Sequence, residues 1–147
     1  MPTFTSTVSD LLAAGPGLQI SVGPSRELIN ALAPLGARFA SPQLLAAVID
    51  TGAHSTVLNP DVVSRLGIKP VGVASIVTPS TTTALTCNRY HINVYFSEDF
   101  VVENVFAIEA PMGGVPYQCL IGRDILRLAT FTYAGLQNKF TLEFQGT

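Results

Sequence analysis

The chain has 147 residues, of which 48% are hydrophobic and only 12% are charged, with a formal net charge of −2. This length predicts one domain with its own core, and the low charge with positive mean hydropathy indicates more apolar surface than a monomer needs. Eight scattered basic residues argue against a nucleic-acid-binding function, and a membrane span is not expected because no apolar run reaches roughly eighteen residues.

Residues 1–16 are predicted to form a flexible leader that ends at Gly15-Pro16-Gly17, and residues 17–147 to form the folded domain. The first ten residues contain no Lys or Arg, so they lack the charged start of a signal peptide, and we predict a cytoplasmic protein. Cys87 and Cys119 belong to no CxxC or Cys/His cluster, which predicts no metal site. Both are expected to be core residues in a reducing compartment, with a reactive thiol at one of them as the alternative.

Residues 18–22 alternate between apolar and polar and predict the first strand. Ser25 is expected to cap a helix that runs to about Leu35 and ends at Gly36, with an apolar face that predicts packing against the core. The wholly apolar residues 44–49 then predict a buried strand.

Directly behind this strand lies the motif Asp50–Thr56, Asp-Thr-Gly-Ala-His-Ser-Thr. A buried strand that ends in such a turn can present a carboxylate for catalysis. The alternative is an ordinary turn, in which Asp50 bonds its own backbone and Gly52 supplies a positive φ. The triplet Asp-Thr-Gly occurs once in the chain, so a site built from two such carboxylates requires a second copy.

Further along the chain, residues 56–58 predict a short strand, and Asn59 with Pro60 predicts the start of a helix that ends at Gly67. Residues 71–77 and 82–96 predict the arms of a hairpin whose tip is 78–81. A strand at 101–108 and a loop at 111–116 follow. Residues 119–128 predict a strand that passes through Gly122 into a short helix, and residues 130–133 and 139–144 predict a terminal hairpin.

The segments Asp50–Thr56 and Leu120–Leu126 resemble the two motifs of the retropepsins, the single-domain aspartic peptidases of retroviruses, retroelements and some bacteria. A looser resemblance extends from about Gly17 to Phe144. It implies an all-β, mainly antiparallel fold, closed as an acid-peptidase barrel, with two or three short helices and one Asp-Thr-Gly lobe per chain. It also implies a homodimer that hydrolyses peptide bonds without a cofactor.

The resemblance makes Asp50 the catalytic residue, with one carboxylate contributed by each chain. Two carboxylates at such short range cannot both ionise, so they share a proton; one then acts as a base on water and the other as an acid toward the peptide carbonyl. Activity is expected on the acidic side of neutrality.

Supporting roles follow from the same resemblance. Thr51 is expected to bond across the two-fold axis, and Gly52 to let backbone approach the substrate. Thr56 and Asp124 are the positions at which the family joins the active-site strand to the later helix by hydrogen bonds, with Gly122 as part of that support.

Substrate contacts are implied for the cleft residue Ala53 and for a flap at the hairpin tip, formed by Thr78, Pro79, Ser80 and Thr81. Pro79 has no N–H and restricts φ, so this tip is expected to be stiffer than the glycine-rich viral flap. Chain ends interleave across the dimer in the family. The terminal hairpin is therefore a candidate for the interface, with pairing inside one chain as the alternative.

His54 stands where viral members often carry an acid that pairs with the arginine of the second motif. Arg123 is therefore expected to reach another carboxylate, the substrate or a chain end. For His54 and Ser55, contact with substrate and simple exposure to solvent are both open.

Three hypotheses differ in function. The first is a homodimeric aspartic endopeptidase that acts on a peptide or protein substrate. The second is a noncatalytic dimeric module of the same fold that binds peptides or serves assembly, against which the intact Asp-Thr-Gly argues, because paired acids at a two-fold axis cost stability. The third is a monomeric β domain with a fortuitous motif, which predicts no self-association.

Overall fold

The computed structural model describes residues 2–77 and 83–145. In this part of the chain ten strands occur: β1 Thr3–Thr7, β2 Gly17–Pro24, β3 Gln43–Ile49, β4 Val57–Leu58, β5 Gly72–Ile76, β6 Leu85–Ser97, β7 Phe100–Glu109, β8 Cys119–Ile121, β9 Ala129–Ala134 and β10 Lys139–Phe144. The four α-helices described are α1 Leu11–Ala14, α2 Arg26–Leu32, α3 Pro60–Leu66 and α4 Arg123–Leu126. The structure is thus mostly β, with one more short helix than the two or three expected.

The larger sheet closes on itself. Its seven strands follow the order β2-β3-β8-β4-β7-β6-β5, and β2 also pairs with β6, so six strands form a closed barrel and β5 extends it. Two pairings, β3 with β8 and β4 with β7, are parallel, and the others in this sheet are antiparallel. The predicted closed, mainly antiparallel barrel is confirmed.

The core follows from strand periodicity. In β10 the alternate residues Phe140, Leu142 and Phe144 are each at most 1% exposed, whereas the residues between them are only half-buried. They join Ile20 of β2 and Ile92 of β6 in one cluster inside the molecule. Each fully buried side chain of this size contributes about 1.5–3 kcal/mol to folding.

A second sheet of three strands, in the order β1-β10-β9, lies beside the barrel. The predicted flexible leader 1–16 is therefore wrong for most of its length, because β1 pairs with β10 from Thr3↔Glu143 to Thr7↔Lys139. Phe4 packs near the ring of Phe96, at a centroid distance of 5.6 Å, and Leu11 of α1 is fully buried. The terminal position and the breaker Gly15-Pro16-Gly17 predicted a flexible leader, but an alternating segment with a strand to pair with forms a strand.

Helix α2 begins as predicted, because the Ser25 hydroxyl accepts a hydrogen bond of 3.1 Å from the Leu28 N–H. A 3₁₀ turn continues it to Leu35, and Gly36 ends it with φ of 87°. The expected packing of this helix into the core is wrong: it has no buried residue, and Leu35 is 80% exposed. The strands beneath it already belong to a closed barrel, so the helix lies on the outer surface.

Other predicted elements are confirmed. Helix α3 has an Asn59 cap, Pro60 in its first turn and a left-handed Gly67 at its end. Strands β5 and β6 form the predicted hairpin, and β9 and β10 form the terminal one within a single chain. Cys87 and Cys119 are both free and buried. No helix in the described ranges is long and apolar enough to cross a membrane.

Candidate active site

The Asp50 turn stands at the end of a buried strand. Strand β3 lies parallel to β8, and the register ends with Ile49 opposite Ile121. The Asp50 N–H donates to the Ile121 carbonyl at 2.9 Å, and the Ala53 N–H donates to the Asp50 carbonyl at 3.2 Å. The acid is therefore held at a fixed point where two buried strands end.

The Asp50 carboxylate is oriented by its own turn. Its Oδ1 accepts a hydrogen bond of 2.9 Å from the Gly52 N–H. A Cβ on residue 52 would lie 3.1 Å from the same oxygen, so any other side chain there would crowd the carboxylate. Asp50 is half-buried, whereas Thr51 and Gly52 are exposed. A single chain thus presents one positioned carboxylate at its surface.

Thr56 and Asp124 connect the two sequence motifs. The Thr56 hydroxyl donates to Asp124 Oδ1 at 2.8 Å, and the Thr56 N–H donates to Oδ2 at 3.0 Å. The same hydroxyl accepts from the Gly122 N–H at 3.3 Å, and Asp124 Oδ1 also accepts from the Ile125 N–H at 2.9 Å. Thr56 is fully buried. The predicted hydrogen bonds between these two positions are present.

Gly122 allows the two motifs to cross in contact. A Cβ at this position would lie 2.5 Å from the carbonyl carbon of Ser55 and 2.9 Å from the nitrogen of Thr56. These neighbours are backbone atoms, which cannot rotate away. Only glycine therefore fits at position 122. The region in which residues 50–56 and 122–124 contact each other is called the motif crossing below.

Arg123 has a partner that the sequence did not suggest. Its Nη1 donates to the Thr51 carbonyl at 2.7 Å, and its backbone N–H donates to the Ala53 carbonyl at 2.8 Å. This contact is additional to the expected ones, and contact of Arg123 with the substrate or a chain end of a second copy stays a prediction. Arg123 holds the active-site turn of its own chain, and a backbone carbonyl 72 residues away in sequence left no signal in the pattern.

His54 and Ser55 lie on the outer side of the turn. The His54 Nδ1 and the Ser55 hydroxyl are 3.1 Å apart, and His54 is exposed while Ser55 is half-buried. Their contact with substrate stays a prediction, as does that of Ala53. The predicted flap tip, Thr78, Pro79, Ser80 and Thr81, lies outside the described residues.

Gln118 is a supporting residue that the sequence did not reveal. Its side-chain oxygen accepts from the Ala46 N–H at 3.0 Å, and its backbone N–H donates to the Ala46 carbonyl at 2.9 Å. Its carbonyl also accepts from the Asn59 N–H at 2.9 Å. Gln118 therefore ties β3 to the segment after β4, and a polar residue directly before a buried strand was the available signal.

Three titratable side chains, those of Tyr90, Glu109 and Cys87, lie close together where the β5–β6 hairpin meets the barrel. The Tyr90 hydroxyl donates to Glu109 at 3.3 Å, and Cys87 of the same strand is buried nearby. Burial first, and the Glu109 charge second, raise the pKa of both the Cys87 thiol and the Tyr90 hydroxyl. A raised pKa keeps Cys87 protonated, which favours the structural role over the reactive one.

Known proteins share both the sequence pattern and the fold. The aspartyl protease family model matches residues 40–125, which is more than half of the chain. The crystal structure of a retropepsin-like aspartic protease from Rickettsia conorii is similar with a TM-score of 0.55 and 13% sequence identity, over 99% of this chain and 95% of that one.

A second solved structure is the retroviral protease-like domain of Ddi1 from Leishmania major. It aligns with a TM-score of 0.47 and 15% identity, over 89% of this chain and 95% of that one. No curated protein sequence matches the chain.

Proposed function

The chain belongs to the aspartyl protease family and has a retropepsin-like fold, and from this premise we propose that it acts as a homodimeric aspartic endopeptidase. The observation that carries the proposal is the Asp50 carboxylate, which accepts the Gly52 N–H at 2.9 Å at the end of a buried strand. This turn keeps the acid at the surface, oriented and next to exposed backbone, where a second carboxylate can meet it.

The second carboxylate is proposed to come from another copy of the chain. The Asp-Thr-Gly triplet occurs once in the sequence. The other acid of the motif crossing, Asp124, already accepts hydrogen bonds from Thr56 and Ile125 and serves structure. A two-carboxylate mechanism therefore needs the Asp50 of a partner.

In this mechanism the two Asp50 carboxylates share one proton, because like charges at short range cannot both ionise. The ionised carboxylate removes a proton from water, whose oxygen attacks the peptide carbonyl carbon. The protonated carboxyl gives its proton to the carbonyl oxygen. Transfer of a proton to the amide nitrogen then breaks the C–N bond and releases the two peptide products.

The β5–β6 hairpin is proposed to cover the bound peptide. The hairpin packs on the barrel through a small cluster of Cys87, Ile108 and Ala110, against which Val57 and Ile76 also pack. Val57 directly follows Thr56 of the motif crossing, so the hairpin is anchored beside the active site. Ala53, His54, Ser55 and the tip residues 78–81 are the proposed substrate contacts.

Cleavage of a peptide library between pH 4 and 7, read by mass spectrometry at several protein concentrations, tests the proposal. Wild type is expected to cleave with specific activity that rises with concentration, and Asp50→Asn to lose at least about a thousandfold in rate. Asp61→Asn, which removes an exposed acid from the first turn of α3, is the matched control and should cleave normally.

If wild type and Asp61→Asn form dimers but cleave nothing, the endopeptidase proposal fails and a noncatalytic peptide-binding module takes its place. If Asp50→Asn cleaves as fast as wild type, the carboxylate has no part in the chemistry.

A further inference from the structure

A cavity lies where the β5–β6 hairpin meets the end of β7 and the start of α3. Its volume is about 380 Å³, which falls within the roughly 300–1,000 Å³ that is usual for ligand pockets. Its walls include Pro60 of α3, Leu85 and Thr86 of β6, and Pro111 after β7, with Glu109 among them. This cavity, called the hairpin pocket below, is large enough to take a long side chain.

The backbone around the hairpin pocket is held in place by hydrogen bonds. Strand β6 pairs with β7 on one side of it. The Ala110 N–H donates to the Leu58 carbonyl at 3.1 Å, and the Asn59 side chain caps α3 by accepting from the Asp61 N–H at 3.1 Å. A pocket whose walls are already ordered loses little conformational entropy when a ligand enters it.

Glu109 brings a carboxylate to this pocket. Its Oε1 accepts a hydrogen bond of 3.3 Å from the Tyr90 hydroxyl, which orients the group. Within residues 2–77 and 83–145, Oε2 has no hydrogen-bond partner, and no Lys, Arg or His side chain forms an ion pair with Glu109. One carboxylate oxygen is therefore free to bind a ligand.

Arg89 of β6 does not neutralise this carboxylate. Its guanidinium carbon lies over the Phe106 ring, 4.8 Å from the ring centroid. After burial, the Glu109 charge is the second cause that raises the pKa of the Tyr90 hydroxyl and of the Cys87 thiol. The negative charge thus acts on the groups around the pocket, and it favours a positively charged ligand.

The lining favours a ligand with an alkyl stem and a positively charged end. Pro60, Leu85 and Pro111 offer apolar surface, and Glu109 offers an oxygen for a charge-assisted hydrogen bond. Lys and Arg combine these features, because their methylene stems pack on apolar surface while their heads stay charged. A metal ion would need several oxygen ligands, whereas Glu109 is the one carboxylate among the described residues of the lining.

The register of the barrel places the hairpin pocket within reach of a peptide bound at Asp50. Glu109 stands opposite Leu58, two residues after Thr56 of the motif crossing, and β8 and β4 lie between β3 and β7. Three strand spacings of about 4.8 Å separate β3 from β7, or about 15 Å along the sheet. An extended peptide advances about 3.3 Å per residue, so a side chain roughly four to six residues from the scissile bond reaches the pocket.

We propose that the hairpin pocket binds a Lys or Arg side chain of the peptide substrate, with Glu109 as its charge partner. This inference rests on the proposed function, because the peptide is the one that the Asp50 site cleaves. It adds a substrate preference to that function: a basic residue several positions away from the scissile bond.

Cleavage of a peptide series tests this preference. One peptide that wild type cleaves is synthesised again with Lys, Gln or norleucine at each position on both sides of the scissile bond. At one position roughly four to six residues away, the Lys peptide should have a kcat/KM about tenfold higher than the Gln and norleucine peptides. The difference should lie in KM and leave kcat unchanged, because the contact is remote from the reacting bond.

Three variants identify Glu109 as the charge partner. Glu109→Gln keeps an oxygen for the Tyr90 hydroxyl, so it should fold, and it should cleave the Lys and Gln peptides equally well. Glu109→Lys should reverse the preference and favour Glu at the same position, which a merely structural role of Glu109 would not produce. Glu143→Gln, which removes a half-buried carboxylate from β10, is the matched control and should keep the preference for Lys.

Equal cleavage of the Lys, Gln and norleucine peptides at every position overturns the pocket and leaves the endopeptidase proposal standing. A Glu109→Gln protein that keeps the full preference for Lys does the same.

A second measurement needs no cleavage. Titration of wild type with Nα-acetyl-lysine methylamide should shift the NMR signals of the Thr86 and Asn88 amides, which belong to the pocket lining. The glutamine analogue, and the lysine compound added to Glu109→Gln, should shift them much less. These shifts in a protein that cleaves no peptide would sustain the pocket while the proposed function fails, and equal shifts with both compounds would overturn the pocket.

Discussion

The motif crossing and the second sheet satisfy their hydrogen bonds in different ways. At the crossing, Thr56, Asp124 and Gly122 bond one another inside one chain, and Thr56 is fully buried. In the second sheet, β9 bonds β10 on one side only. The crossing thus completes its hydrogen bonds inside one chain, whereas the second sheet ends in the edge strands β1 and β9, each paired on one side only in the described residues.

The largest expected effect comes from breaking the crossing at its closest approach. Gly122→Ala should lower the free energy of unfolding by about 3 kcal/mol or more, because its Cβ would meet the Ser55 backbone at 2.5 Å. Chemical denaturation measures the change. The control, Gly135→Ala beside the second sheet, meets only the Tyr133 ring at 3.2 Å, which can move. Equal stability of the two variants would contradict the account.

A smaller loss is expected when the hydrogen bonds of the crossing are removed. Thr56→Val deletes the hydroxyl that donates to Asp124 at 2.8 Å and should lower the unfolding free energy by about 1–3 kcal/mol. Thr5→Val, whose exposed hydroxyl lies 3.2 Å from that of Thr141, should change it by less than about 0.5 kcal/mol. Denaturation of both proteins side by side separates the buried bond from the exposed one.

The pH dependence of the unfolding free energy tests Cys119 in β8, the strand that leads to Gly122 in the motif crossing. Burial first, and the Asp124 charge second, raise the pKa of the Cys119 thiol. In the unfolded chain the thiol ionises at about pH 8.5. The contribution of Cys119 to the free energy of unfolding is therefore complete below that pH and is lost as pH rises, with a limiting slope of about 1.4 kcal/mol per pH unit. Cys119→Ala should reduce the alkaline slope of the unfolding free energy. An unchanged slope would show that Cys119 is not the titrating group.

The smallest effect on stability is expected at the turn itself. Arg123→Ala removes a hydrogen bond of 2.7 Å to the Thr51 carbonyl from an exposed side chain, which should cost about 0.5–1.5 kcal/mol. The free-energy cost to catalysis, measured from the cleavage rate, should exceed this cost to stability, because the turn that carries Asp50 loses one of the hydrogen bonds that position it. The exposed Arg127→Ala is the control for both assays. A change in stability without a change in cleavage rate would remove Arg123 from the positioning of the turn.

Local patterns predicted most of the fold. The alternation in β10 and the Asn59-Pro60 helix start depend on neighbours in sequence, and both are present. The strand β1 was missed because a terminal segment before a Gly-Pro-Gly breaker was expected to be flexible, and its pairing partner, β10, lies at the far end of the sequence. The apolar face of α2 predicted burial, but the closed barrel beneath leaves it at the surface.

For the candidate site, too, the local motifs were predictable and the contacts between distant segments were not. The Asp-Thr-Gly turn and the Thr56–Asp124 bonds follow from the resemblance of the two motifs to the retropepsins. The contact of Arg123 with the Thr51 carbonyl, and the 2.5 Å approach that requires Gly122, depend on how distant segments cross. Such contacts leave no periodic trace in a sequence.

Mixing wild type with Asp50→Asn tests most directly that each active site takes one Asp50 from each of two chains. Equal amounts are allowed to exchange subunits, with two affinity tags to verify exchange, and peptide cleavage is compared with that of wild type at the same total concentration. If both carboxylates are needed, only dimers with two wild-type chains cleave, and activity should fall to about one quarter. Activity of about three quarters, with the mixed dimers active, or of about one half, with each chain acting on its own, would mean that one Asp50 suffices, and the account would be wrong.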